Sequence, residues 1–347
     1  VERASLIVVG GGPVGLAAAI EARLAGRSVL LLEPQAEVID KACGEGLMPA
    51  AVAALARLGV AELPHQPFLG IRYRWGEAEA LARFSAGAGW GVRRLALHAA
   101  LAERARALGV ERRAHRLRSL RQDADEVVVD EAFAAPYLLA ADGLHSPVRA
   151  LLGLGLPRLR PRRVGLRRHF RVAAVPETVD VYWSAEAEAY VTPVGPAEVG
   201  VAFLFREAPD GEGPPFDRLL AGFPALAAQL GEPTSALRGA GPFEQRVARR
   251  VAGRALLIGD AAGYLDPLTG EGLRLGLETA RAAVAAIEAG APGRYEADWW
   301  RITRAYRWMT GGLLTLTGPA WVRRRLVPTL ARVPALMGRI VEHLARG

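Results

Sequence analysis

Cysteine and lysine are almost absent from this chain of 347 residues, which has Cys43 and Lys41 as the sole member of each type against 43 arginines. A lone cysteine excludes an intrachain disulfide and any multi-cysteine metal site, and it fits a reducing compartment. His65, His98, His115, His145, His169 and His343 follow no metal-ligand spacing, and none sits in a nucleophile elbow, so neither a metal centre nor a catalytic triad is expected. Although 51% of the residues are hydrophobic, no run reaches the roughly 18 apolar residues of a membrane span. The apolar stretch Leu6 to Val9 is too short for a signal-peptide core and runs straight into glycines, so a cytoplasmic protein is expected. The net charge of +8 points to nucleic acid or an anionic surface, but the arginines are interspersed with 36 acidic residues and no nucleic-acid motif accompanies them. No nucleic-acid partner is expected.

What the chain does have is glycine in strategic runs. LIVVGGGPVG, ending at Gly15, reads as a buried strand, a glycine turn and a helix of small residues from Pro13 to Ala25. Gly10, Gly12 and Gly15 suit the tight turn, the close approach of backbone to a pyrophosphate, and the packing of helix on strand. A second strand, Ser28 to Leu32, ends at Glu33, about 20 residues past the glycines, where a dinucleotide fold needs an acceptor for a ribose hydroxyl. This βαβ unit alone does not separate NAD from FAD. Much later, ALLIGDAAGYLDPLTGEG, from Ala255 to Gly272, repeats the strand, turn and helix layout, and ADGLHSPVR, from Ala141 to Arg149, lies between the two.

Helices are expected over Ala50 to Leu58 and Val92 to Leu108, and strands over 126–130 and 137–140. Between about 156 and 246 the hydrophobic period changes to two, as in VDVYWSAEAEAYVTPVG, which predicts antiparallel hairpins interrupted by a helix from Phe216 to Leu230. The part from Tyr295 onward holds Trp299, Trp300, Trp308 and Trp321, four of the seven tryptophans, and the basic cluster Arg323 to Arg325. Its helices either pack over the rest of the molecule or lie on a membrane or a lipidic pocket.

The three glycine-bearing segments together resemble the fingerprints of the FAD-dependent monooxygenase superfamily, which includes aromatic hydroxylases and geranylgeranyl reductases. The resemblance spans roughly the first 290 residues and is dense only at the motifs. It implies an α/β fold: a Rossmann-type FAD-binding domain (1–70, 91–155 and 247–290) interlocked with an antiparallel β-sheet substrate domain (71–90 and 156–246), as in p-hydroxybenzoate hydroxylase, followed by C-terminal helices (291–347). FAD is the implied cofactor, with NADPH or NADH as transient reductant. Asp260, after Gly259, matches the aspartate that hydrogen-bonds the ribityl chain. The turn from Pro267 through Gly270 to Gly272 matches the one lying along the isoalloxazine. The helix starting at Gly272-Leu273 aims its positive end at the flavin's pyrimidine oxygen, where it would stabilise an anionic reduced ring. Asp142, Gly143 and Arg149 match the Asp-Gly motif, and Arg94, in WGVRRLALHAAL, leads a helix against FAD. The loop KACGEGLMP brings Lys41, Cys43 and Gly46 toward the flavin. Lys41, Cys43 and Pro267 are the catalytic candidates; a solvated lysine and a small buried cysteine are the plain alternatives.

Two activities stay open. The first is hydroxylation of an aromatic or phenolic, lipid-like or polyketide-type substrate by molecular oxygen through a flavin hydroperoxide; the second is saturation of prenyl double bonds, to which CGEGL and DPLTGEG are closer. Tyr182, Trp183, Tyr190, Phe203 and Phe205 are candidates for the substrate pocket, though strand alternation turns only some of them inward. The C-terminal helices leave peripheral membrane contact open.

Overall fold

The computed structural model describes residues 1–333 except 36, 37, 61, 86, 207–209 and 211, together with 338, 341, 342 and 345. The strand Leu6–Val9 is apolar at every position and is covered on both faces, so it lies inside a six-stranded sheet. The order is Val251–Ala252, Ala255–Leu257, Leu138–Ala140, Leu6–Val9, Val29–Leu32, Glu111–Arg113. Every pairing is parallel except the outermost, Val251–Ala252 with Ala255–Leu257. The helix Pro13–Leu24 packs between Gly272–Glu288 and Arg94–Ala107 and closes the largest apolar cluster. Its small residues, Ala17, Ala18, Ala19 and Ala22, permit that crowding.

The second sheet has seven strands in the order Arg238–Ala240, Val164–Arg171, Glu198–Phe205, Ala187–Gly195, Val179–Trp183, Gly70–Trp75, Ala78–Arg83. It is antiparallel but for one pair: Val179–Trp183 runs parallel to Gly70–Trp75. That hairpin comes from a part of the chain a hundred residues earlier, so a hairpin turn cannot set its direction, and alternation in sequence carries no information about it. The helix expected from Phe216 to Leu230 is two short ones, Pro215–Ala221 and Pro224–Ala227. The break is at Phe223, whose φ of −132° and ψ of 65° leave the helical region ahead of Pro224.

The helices Tyr295–Leu316 and Ala320–Arg332 close the molecule. The first packs on Gly272–Glu288, and the second on the hairpin Gly70–Arg83. Trp299 is buried beneath the Arg250 guanidinium, 3.8 Å from its ring centre. Among the described residues no helix is long and apolar enough to cross a membrane.

Candidate functional site

Because five neighbouring strands run parallel, their C-terminal ends share one edge of the six-stranded sheet. There the chain places Gly10, Glu33, Asp142 and Asp260, directly or shortly after the strands end. Gly10 has φ +101°, and a Cβ on it would lie 2.5 Å from the Ala141 carbonyl oxygen; a Cβ on Gly15 would lie 1.8 Å from that of Gly10. Both positions are closed to any other residue. Gly12 differs, since nothing stands within 4 Å of a Cβ there. Glu33 accepts the Gly11 N–H at 2.7 Å and the Gln35 N–H at 2.9 Å, which ties the acidic end of the second strand to the turn. His98, buried on the helix Arg94–Ala107, meets the Gly11 carbonyl through Nε2 at 2.8 Å.

Asp142 accepts the Val148 N–H at 2.9 Å through Oδ2, at the start of the helix Pro147–Leu151, while its Oδ1 is buried without a partner. Burial raises this carboxyl, and Ser146 and Val148 pull it back. Gly143 follows with φ +84°. Arg149 is buried and spends its guanidinium on neighbouring backbone, donating to Ala261 O at 3.1 Å and Leu144 O at 2.7 Å, and to Gln245 Oε1 at 3.0 Å. It braces the Asp142 turn against the Gly259–Ala262 turn from behind. Burial raises the Asp260 carboxyl, and Arg94, Lys41 and Arg149 oppose that rise. Four residues singled out from separate parts of the sequence therefore share one electrostatic environment.

After Asp260 the chain makes a 3₁₀ turn, Pro267–Thr269, passes Gly270 at φ +70° and enters the helix Gly272–Glu288. A Cβ on Gly272 would touch the Tyr264 ring at 3.4 Å, and Leu273 packs on the main core. Opposite stands the loop from Lys41. Lys41 is exposed and Cys43 half-buried, with Sγ accepting the Glu45 N–H at 3.4 Å. Gly46 lies in a short strand paired with Gly91. A Cβ at Gly46 would meet only ordinary contacts at 3.6 Å and beyond, so sterics do not demand glycine there. Met48 closes the gap to the turn, its Cε 3.8 Å from the Cβ position of Gly270.

The seven-stranded sheet faces this assembly with alternate residues. Of the five aromatic candidates, Trp183 and Tyr190 belong to the cluster that includes Leu265, Leu268 and Tyr306. Tyr182, Phe203 and Phe205 point the other way and pack on Phe216 and Phe223. The period of two turns them away from that cluster. Tyr190 donates its hydroxyl to the Leu268 carbonyl at 3.1 Å, inside the turn. Burial pushes Tyr190 well above a normal phenol and Tyr73 to about 12, so both keep their protons.

One end of this face is charged. Arg163 reaches Glu188 Oε2 at 2.6 Å and Asp266 Oδ2 at 3.0 Å, and Arg323 reaches the other Glu188 oxygen. Arg323 is thus drawn inward, while Arg324 and Arg325 stay exposed. Asp266 is pushed up to about 6, chiefly by desolvation. A cavity of about 230 Å³ opens here, lined by Arg160, Arg163, Leu265, Asp266 and Leu314 among others.

The sequence reading did not single out Asp266, Glu188, Arg163, Glu45 or His169. Asp266 directly precedes Pro267 and Glu188 lies two residues before Tyr190 on the same face, so both carried a signal. Glu45 and His169 are 124 residues apart and carried none. His343 lies outside the described residues.

A family model described as an FAD binding domain matches residues 3–296. A menaquinone reductase of Mycolicibacterium smegmatis is 29% identical over 331 residues, covering 86% of this chain and 79% of the relative. A rifampicin monooxygenase of Streptomyces venezuelae is 32% identical over 299 residues, covering 79% of this chain but only 62% of the relative. Among solved structures, a flavoprotein/dehydrogenase from Cytophaga hutchinsonii superposes with a TM-score of 0.77 at 19% identity, covering 99% of this chain and 98% of the other.

Proposed function

The chain belongs to the FAD binding domain family, and we propose that this FAD-dependent oxidoreductase is a monooxygenase that hydroxylates a phenolic substrate with a lipid-like or polyketide-like body, using NADPH or NADH as reductant. The residues at the sheet edge fit the cofactor. Open space over Gly12 suits a pyrophosphate, and two buried polar atoms, Asp142 Oδ1 and Arg94 Nε, lack partners within the protein. We assign Gly10, Gly12, Gly15, Glu33, Asp142, Gly143 and Arg94 to the dinucleotide, with Arg149 bracing the turns beside it. Gly46, Gly259, Asp260, Gly270, Gly272 and Leu273 would serve the flavin end. In this division residues 1–70, 91–155 and 247–290 carry the cofactor, 71–90 and 156–246 present the substrate, and 291–347 cover it.

When bound, the flavin accepts electrons from the nicotinamide and activates oxygen. The observation that carries the substrate reading is the cavity beside the turn. One wall is apolar, from Leu265 and Leu314, and the other holds Arg163 with Asp266, whose carboxyl changes charge near pH 6. A carboxyl tuned to that range can take a phenolic proton at Oδ2 and make the ring electron-rich, while Arg163 steadies the resulting charge. Trp183 and Tyr190 pack behind the apolar wall, in the cluster that holds Leu265 and Leu268. Pro267 would set the turn beside the flavin, with Lys41 and Cys43 on the loop across from that turn.

A reductase acting on prenyl double bonds is the second reading, favoured by coverage: the chain spans 79% of the menaquinone reductase and 62% of the rifampicin monooxygenase. Either lipid-like substrate suits contact with a membrane surface through Trp308 and Trp321, which are 87% and 64% exposed, and the neighbouring Arg324 and Arg325. The test is turnover with NADPH under isotopically heavy oxygen gas, offering a long-chain phenol and a prenylated quinone. A phenol carrying one heavy oxygen atom supports the hydroxylase; a quinone whose side chain keeps two added hydrogens after the head group is reoxidised, with no oxygen gained, replaces it with the reductase.

A further inference from the structure

The loop that carries Lys41 and Cys43 is tied to the seven-stranded sheet through buried polar groups, and Glu45 is their hub. Glu45 is 3% exposed and sits at φ +57°. Its Oε1 accepts the N–H of Arg94, at the start of the helix Arg94–Ala107, at 2.8 Å. Its Oε2 meets Nε2 of His169, which is wholly buried on the strand Val164–Arg171. The other imidazole nitrogen, Nδ1, lies 3.0 Å from Arg167 Nη1 and 2.7 Å from Ser235 Oγ. A guanidinium only donates, so Nδ1 accepts and Nε2 carries the hydrogen that Glu45 receives. Arg167 also holds the loop directly, donating to Asp40 at 2.6 Å and to the Lys41 carbonyl at 3.1 Å, and Thr192 donates to the Gly44 carbonyl at 2.8 Å.

We propose that His169 is a positioning residue which, through Glu45, keeps the Cys43 loop seated against the Pro267–Gly272 turn, and that Arg167 selects the imidazole tautomer that makes this contact. The proposal rests on the reading of that turn as the flavin seat. Its physical basis is that a buried carboxyl deprived of one partner must find another or move, and the chain that moves is the loop. The same carboxyl meets the start of the helix that carries Arg94 and His98, so loop, sheet and helix are joined at one group.

Cys43 is the only cysteine, so a thiol reagent applied to the FAD-loaded protein reads this loop alone. His169→Ala is expected to raise the labelling rate about tenfold, by local opening, and to alter the visible circular dichroism of the flavin. His169→Gln places an amide donor near the position of Nε2 and is expected to restore both. Phe216→Leu, on the far face of the sheet, serves as a control for general destabilisation and should label at the parent rate. A folded His169→Ala with parent labelling, a His169→Gln as fast as His169→Ala, or a control as fast as either overturns the proposal. Should His169→Ala not fold, His169→Leu, which fills the same space without a donor and leaves the direct bonds of Arg167 to the loop in place, must accelerate labelling, and a parent rate overturns the proposal. Retention of FAD by Asp260→Ala would instead overturn the flavin-seat reading, independently of the labelling pattern.

Discussion

The edge of the six-stranded sheet and the face of the seven-stranded sheet meet at one site but are built by different means. The edge is chiefly backbone, with glycines at forced conformations, strand ends in parallel register and helix N-termini, and three carboxyl groups, Glu33, Asp142 and Asp260, are set on it. The face is made of side chains: Trp183, Tyr190, a charged group around Glu188, and the Glu45–His169 pair. A backbone-built site tolerates little change in its glycines and is common to many substrates. A side-chain-built face can be rewritten residue by residue, which fits relatives as different in name as a menaquinone reductase and a rifampicin monooxygenase.

The largest effect should come from the edge. Gly15→Val puts a side chain where a Cβ already lies 1.8 Å from the Gly10 carbonyl oxygen. It is expected to cost more than about 4 kcal/mol and to yield protein without FAD, read from the 280-to-visible absorbance ratio and a urea melt. If such a variant bound flavin normally, the claim that backbone builds this edge would fail.

Next comes the charged end of the face. Glu188→Leu leaves Arg163 and Arg323 facing each other without their shared carboxylate. A loss of about 3–5 kcal/mol is expected, because Arg323 loses its carboxylate and Arg163 keeps only Asp266, measured by chemical denaturation. A loss below about 1 kcal/mol would mean the cluster behaves as surface ion pairs do.

Asp266 sharpens the comparison through pH. Its carboxyl is raised from 3.8 to about 6 by desolvation, against the pull of Arg163. The folded state therefore binds this proton more tightly than the unfolded state, so the stability it confers is greatest below pH 3.8 and is lost as pH rises through about 6. Over that window the loss is on the order of 2–3 kcal/mol. Asp266→Asn should flatten this slope in urea melts taken at successive pH values; an unchanged slope would place the titration elsewhere.

The smallest effect on stability belongs to the outer surface. Trp308→Ser, at a position 87% exposed, should change stability by less than about 0.5 kcal/mol. It should nonetheless weaken co-sedimentation with vesicles of phosphatidylglycerol if the C-terminal helices dock on anionic lipid.

The same contrast explains what could be read from the chain. Gly10, Gly15 and Glu33 announce the first βαβ unit because steric demands fix both residue type and spacing. Ala255 to Gly272 announces its partner strand and helix for the same reason. On the other sheet, alternation told that strands were present but not which face was inward, so Tyr182, Phe203 and Phe205 were indistinguishable from Trp183 and Tyr190 until the register was known. The parallel pairing of Gly70–Trp75 with Val179–Trp183, and the meeting of Glu45 with His169, join segments more than a hundred residues apart and leave no local trace.

The most direct test of the account is the flavin content of two purified variants, Asp260→Ala from the edge and Trp183→Leu from the face. The account predicts that Asp260→Ala is colourless, while Trp183→Leu keeps a full complement of FAD. A fully yellow Asp260→Ala, or a Trp183→Leu that sheds its flavin, would contradict it.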